Sequence, residues 1–236
     1  MTGAPPRPDS LLRIWTKAIL LAIAAWLVLR TFVVEAFRIP TGSMANTLLV
    51  GDFLLVNKAL YGAEVPLIHR RLPAIREPRR GDLVIFDSVE DEGKELVKRL
   101  VGLPGDTLEM RDGTLIRNGA VLREPYASHF DPMRLEEPEV RDRMRAWQLP
   151  HFVGADPAAY DPDLQDWGPI VVPPDSLFML GDNRDGSYDG RYWGFVPRGN
   201  VRGRPMGIYF SYDAASRQGP PFFGSIRWRR ILSTPE

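Results

Sequence analysis

The longest apolar run of the chain lies near its start. Residues 18 to 29, Ala-Ile-Leu-Leu-Ala-Ile-Ala-Ala-Trp-Leu-Val-Leu, carry no polar side chain. That run falls short of the roughly 20 residues a bilayer-crossing helix needs. Adding Ile14, Trp15, Phe32, Val33 and Val34 brings the segment to about that length, with Lys17 and Arg30 near its ends where their stems can snorkel. The pattern predicts a membrane anchor over 14–34. Arg7, Arg13 and Lys17 precede the apolar core, which predicts a cytoplasmic N-terminus and places everything after Glu35 on the far side. A cleavable secretory signal fits the same basic start, short core and Val34-Glu35-Ala36, and an amphipathic or buried helix is a third reading.

Beyond the anchor the period changes to that of strands. Phe53 to Asn57, Leu83 to Phe86, Glu95 to Val101, Leu177 to Leu180 and Ile208 to Ser211 are short β-branched or aromatic runs. Turn signals bound them: Gly51-Asp52, Arg80-Gly81-Asp82, Leu103-Pro104-Gly105-Asp106 and Asp112-Gly113. From about 107 to 173 the chain is rich in Pro, Asp and Arg and has fewer strand runs, which reads as an insertion or cap on the β unit. The predicted fold class is mostly β: an antiparallel sheet with an inserted cap, preceded by one transmembrane helix. The predicted organisation is a tail over 1–13, the anchor, and an extracytoplasmic domain over 35–236. Its core would be 35–106 with 174–236, and its cap about 107–173.

Composition narrows the chemistry. There are 30 basic and 30 acidic residues and no long run of either sign, which argues against a nucleic-acid partner. The absence of cysteine excludes disulfides, a thiol nucleophile and cysteine metal sites. His69, His129 and His151 sit in loop-like contexts without metal-ligand spacing. Of the 30 basic residues four are lysines (Lys17, Lys58, Lys94, Lys98), leaving 26 arginines. Lysine can give up its proton when buried, and arginine in practice cannot.

Lys98 stands out among the four. Alternation along Glu95 to Val101 puts it on one strand face between Leu96 and Leu100. Desolvation there disfavours the ammonium and makes a neutral amine available as a base. The alternative is a snorkelling lysine on an edge strand. A candidate nucleophile is Ser43, in Ile39-Pro40-Thr41-Gly42-Ser43-Met44 just past the anchor. Pro40 fixes the backbone there and Gly42 permits close approach of another chain. The alternative for Ser43 is a turn serine capping a helix. A neutral lysine beside a serine hydroxyl is the Ser-Lys variant of serine-protease chemistry. The third element is Gly181-Asp182-Asn183-Arg184-Asp185-Gly186-Ser187-Tyr188-Asp189-Gly190-Arg191. It opens like a calcium loop but offers Val196 where the bidentate Glu is needed. A polar turn braced by Asp–Arg pairs is the favoured reading.

In this order the segments resemble bacterial type I signal peptidases (leader peptidases). The resemblance is carried by Phe37 to Leu48, Gly51 to Lys58, Arg80 to Asp106 and Gly181 to Val196, with Gly207 to Ser211 and Arg227 to Ile231. It implies a serine endopeptidase that removes signal peptides from exported preproteins, with Ser43 as nucleophile and Lys98 as general base. It further implies that Ser187 orients the lysine and that the Ser43 N–H and the Thr41 hydroxyl form the oxyanion hole. Asp182, Arg184, Asp185, Asp189, Arg191 and Arg99 would support the lysine structurally. Phe37, Ile39, Leu48 and Val97 would line shallow pockets for small residues at −1 and −3, with the substrate bound as an added strand. No metal or cofactor is implied. The implied setting is the bacterial cytoplasmic membrane, single-pass, near the export machinery, with the catalytic domain outside and the anchor retained; self-cleavage after Ala36 stays open. The departures are Asn46, where Pro is usual, and Gly186 and Gly190, where Asn and Ser are usual. A Ser-Lys autoprotease of the repressor type and a non-enzymatic membrane-tethered β module are the competing functions.

Overall fold

The computed structural model describes residues 11–65, 70–128, 138–213 and 226–235. His69, His129 and most of the predicted tail lie outside them. The chain opens with helix α1 (Leu11–Val28), which closes in one π-helical turn over Leu29–Val33. A 20-residue apolar window, Arg13–Phe32, is long enough to cross a bilayer, and no residue of it is buried against the described residues. Leu20, Leu21 and Trp26 project freely from it; such apolar side chains are stable in a lipid surround rather than in water. The predicted anchor is shifted at both ends. Helix is already formed at Leu11, and Val34 belongs to a strand, β1 (Val34–Arg38).

The strands that follow are β2 (Asp52–Asn57), β3 (Glu64–Val65), β4 (Arg70–Arg71), β5 (Leu83–Asp87) and β6 (Glu95–Gly102). Next come β7 (Thr107–Arg111), β8 (Thr114–Arg117), β9 (Ala120–Val121) and helix α2 (Pro138–Gln148). The last group is β10 (Trp167–Val171), β11 (Ser176–Leu180), the one-turn helix α3 (Gly190–Trp193), β12 (Val196–Pro197) and β13 (Val201–Ser211). Among the described residues, seven strands form one sheet in the order β1-β2-β13-β5-β6-β11-β12, and β10-β7-β8-β9 form a second. Every ladder between the described strands is antiparallel. All five strands expected from the β-branched runs are present, and β13 extends well upstream of Ile208. Pro205 sits inside β13 where the register shifts, so its missing N–H breaks no regular ladder.

The segment 107–173 holds more order than its composition suggests. Leu108 and Met110 turn inward from β7, while Glu109 and Arg111 pair with each other at the surface. This is alternation without an apolar run. The core of the second sheet is shared: Leu108, Met110, Leu115 and Ile170 pack with Val101 of β6 and with Phe178 and Leu180 of β11. One cluster of buried side chains thus fixes the inserted segment onto the two strands that lead into the candidate site.

Candidate functional site

Ser43 rides on an irregular turn rather than at the start of a helix. The Ala45 N–H donates to Gly42 O (2.9 Å) and the Leu48 N–H to Met44 O (2.8 Å), and the chain then enters β2. Ile39, Met44 and Leu48 are fully buried around it. These apolar pegs on both sides of Ser43 hold the turn to the sheet while its own side chain stays partly open. The cap reading for Ser43 therefore fails, since no helix follows it.

Lys98 comes from β6, where Leu96 and Leu100 pack in one cluster and Val97 and Val101 in two others. The alternation is as expected. The lysine is 3 % exposed, and its Nζ lies 2.5 Å from Ser43 Oγ. Burial, above all, lowers its pKa from the ordinary 10.5 to about 8; Asp189 and Asp182 oppose that fall and Arg191 adds to it. A base of this kind is substantially neutral at mildly alkaline pH.

The support residues separate into distinct groups. Asp182 accepts from Arg99 Nε (2.7 Å) and from its terminal nitrogen (2.6 Å), a bidentate pair that is almost wholly buried. Asp189 caps α3, accepts from the Gly181 N–H (3.0 Å) and holds Arg191 Nε at 2.9 Å. Its carboxyl is held below the ordinary range by Arg191 and these donors, against the effect of its burial. Arg184 turns to Glu124 at 2.7 Å, in a buried pair the sequence did not suggest. Asp185 sits apart at the loop rim, 3.4 Å from Gln165 Nε2. Ser187 Oγ is buried and makes no hydrogen bond among the described residues, Lys98 included. Gly181 sits between Ser187 and the Ser43 turn: a Cβ at Gly181 would lie 2.0 Å from Ser187 Oγ and 2.6 Å from Ser43 O. Gly190 is equally confined, its absent Cβ 2.7 Å from Met179 O. Packing against β11 leaves little room for a side chain at Gly190.

Ile39, Leu48 and Val97 share one buried cluster with Phe37 at its margin. Thr41 is exposed beside Ser43. Two backbone edges face the site. Edge strand β1 is bonded to β2 alone, and β6 meets β11 only from Arg99 onward, leaving one side of Glu95 to Lys98 without a strand among the described residues. A cleft there is lined by Glu35, Phe37, Arg38 and Pro40 across from Gly93, Lys94 and Glu95. Ala36, the candidate self-cleavage position, is held inside the β1 ladder opposite Leu55.

Several organising residues were missed. Thr47 Oγ1 donates to Asp182 at 2.5 Å, and the Asn183 N–H donates to Ser43 O at 3.1 Å. Glu124, Tyr126 and Ser128 reach the site from the inserted segment. Thr47 and Asn183 lay within the quoted motifs and were legible as polar residues there. The other three carry no local signal.

Residues 12–210 match the family model described as signal peptidase, peptidase S26. The chain is 35 % identical over 218 residues to signal peptidase I of Pseudomonas aeruginosa, covering 85 % of this chain and 73 % of that one. It is 34 % identical over 226 residues to signal peptidase I of Leptolyngbya laminosa, covering 93 % and 90 %. A solved signal peptidase I from Enterococcus faecalis V583 is 33 % identical, with a TM-score of 0.37 over 56 % of this chain and 98 % of that one.

Proposed function

The chain belongs to the signal peptidase family, peptidase S26, and on that premise we propose that it is a membrane-anchored endopeptidase cutting signal peptides from exported preproteins with a Ser43 nucleophile and a Lys98 general base. The observation that carries this reading is the 2.5 Å approach of a buried lysine amine to the hydroxyl of Ser43.

In acylation, Ser43 Oγ attacks the carbonyl carbon of the −1 residue as its proton passes to the neutral Lys98 amine. The tetrahedral oxyanion is held by the Ser43 N–H and the Thr41 hydroxyl, donors of a kind worth ~10²–10³ in rate each. Lys98 then protonates the departing nitrogen, the C–N bond breaks, and the signal peptide remains as an ester on Ser43. Water gives its proton to Lys98 and attacks the ester, and Ser43 recovers its proton as the acid is released. Ser187 is assigned to orient the amine; a buried hydroxyl left without a partner is costly, which favours a partner in the working enzyme. The ion pairs of Asp182, Arg99, Asp189, Arg191 and Arg184 hold the frame, while Asp185 contributes at the rim.

The substrate lies extended between the open edges of β1 and β6, as an added strand. Phe37, Ile39, Leu48 and Val97 wall the space for the −1 and −3 side chains, and their bulk limits it to small residues. The anchor is the helix ending at Val33, with the tail cytoplasmic and the domain from 35 onward outside the cytoplasmic membrane, near the export machinery. Residues 107–173 form the cap.

Full-length protein in detergent, given a preprotein, tests this directly, with N-terminal sequencing of the product. Ser43→Ala and Lys98→Arg should each stay folded and lose cleavage. Substantial activity in Lys98→Arg would sink the lysine-base mechanism, because arginine cannot serve as a neutral base.

A further inference from the structure

The segment Glu124 to Ser128, part of the insertion, touches both halves of the candidate site. The Ser128 N–H donates to Asp182 O (2.7 Å), and the Arg184 N–H returns to Ser128 O (2.8 Å). Ser128 Oγ donates to Ala45 O at 3.1 Å. The Asn46 side-chain amide donates to Tyr126 O at 3.3 Å. Glu124 holds Arg184 and also accepts from the Tyr126 hydroxyl at 2.9 Å. The Tyr126 ring lies under the Arg99 guanidinium, 3.8 Å from its carbon to the ring centroid. Arg99 is the neighbour of Lys98 in β6, and Asn46 is three residues past Ser43.

Asn46 adds a constraint of its own. Its φ is +86°, in the left-handed region that asparagine tolerates and proline cannot enter. The turn after Ser43 therefore differs in backbone from one stiffened by the proline usual at this place in the family. It is held instead from outside, by the hydrogen bond its side-chain amide donates to Tyr126 O and by Ser128 on Ala45.

We propose that Glu124–Ser128 is a strap that fixes the nucleophile turn against the strand and loop carrying the base, with Tyr126, Glu124 and Asn46 as positioning residues. The proposal rests on the reading of Ser43 and Lys98 as the catalytic pair. A displacement of about 1 Å between nucleophile and base can cost on the order of 10² in rate, so a looser strap lowers kcat without changing how the peptide strand binds.

The test is steady-state cleavage of a preprotein by the full chain in detergent. Tyr126→Leu removes the ring beneath Arg99, Tyr126→Phe keeps it, and Asn46→Gly keeps the positive φ while removing the hydrogen bond to Tyr126 O. Tyr126→Leu and Asn46→Gly should each lose about tenfold or more in kcat with KM within about twofold, and Tyr126→Phe should recover most of the loss. Should Tyr126→Leu fail to fold, Asn46→Gly decides alone. Wild-type kcat in the folded variants, or a loss confined to KM, overturns the strap while Lys98→Arg stays inactive. Activity in Lys98→Arg instead overturns the catalytic pair on which the strap is argued.

Discussion

Replacing Lys98 by methionine separates the cost of the base from its use. Lys98 is 3 % exposed and its pKa falls to about 8 from 10.5, burial being the leading cause. The gap of roughly 2.5 pH units, at 1.36 kcal/mol each, makes the folded protein about 3 kcal/mol less stable than if the lysine ionised freely. The folded pKa is depressed for a base, so between pH 8 and 10.5 the unfolded chain binds the extra proton. Stability of the wild type therefore rises with pH across that window, and below it the cost is fully present. Methionine is similar in length and carries no charge, so Lys98→Met should be more stable by about 1–3 kcal/mol at pH 7, with cleavage abolished. The advantage should shrink steadily from pH 8 and vanish near 10.5. Denaturant unfolding of both proteins in one detergent, repeated from pH 7 to 10.5, measures it. A variant less stable than wild type at pH 7, or a difference independent of pH, would refute the claim that burial depresses this lysine. The wild-type kcat/KM should rise through pH 8 in parallel, with about one enzyme in ten carrying neutral lysine at pH 7.

Two further perturbations probe the frame. Asp182→Asn breaks the bidentate partner of a buried Arg99 and should cost about 3–5 kcal/mol in unfolding free energy. It also removes a carboxylate that raises the Lys98 pKa, so the acid limb of the rate profile should move to lower pH in whatever folded enzyme remains; an unmoved or raised limb contradicts the assigned sign. Gly181→Ala places a methyl 2.6 Å from Ser43 O and 2.0 Å from Ser187 Oγ. It should lower kcat by at least about tenfold; full activity shows that the two elements are not packed as tightly as described.

The parts legible in the sequence share one property: their cause is local. The strands were visible because Leu83 to Phe86 or Leu177 to Leu180 must be buried whatever surrounds them. Lys98 was visible because a chain that otherwise favours arginine put a lysine between two leucines of a strand. β1 was missed because Val34, Ala36 and Phe37 continue the apolar texture of the helix before them. What makes them a strand is the ladder to β2, from Val34 opposite Asn57 to Arg38 opposite Phe53. The second sheet was half legible, since Leu108 and Met110 alternate with charge and only pairing with β8 and β10 makes that a strand.

The strap was illegible for a stronger physical reason. Glu124 and Tyr126 lie in a Pro- and Arg-rich stretch, and their partners Arg184 and Arg99 are 60 and 27 positions away. Nothing in their own neighbourhood distinguishes them from solvated residues. Their meaning depends on the insertion folding back through a core shared with β6 and β11. That same core carries Val101, next to the last residue of β6, and Leu180, the last residue of β11, on the strands leading from Lys98 and into Asp182. A substitution that loosens this packing therefore reaches the Ser43–Lys98 contact by two routes, along the strands and through the proposed strap. If the strap variants behave as expected, the insertion takes part in setting Ser43 against Lys98 even where it contributes no reacting group.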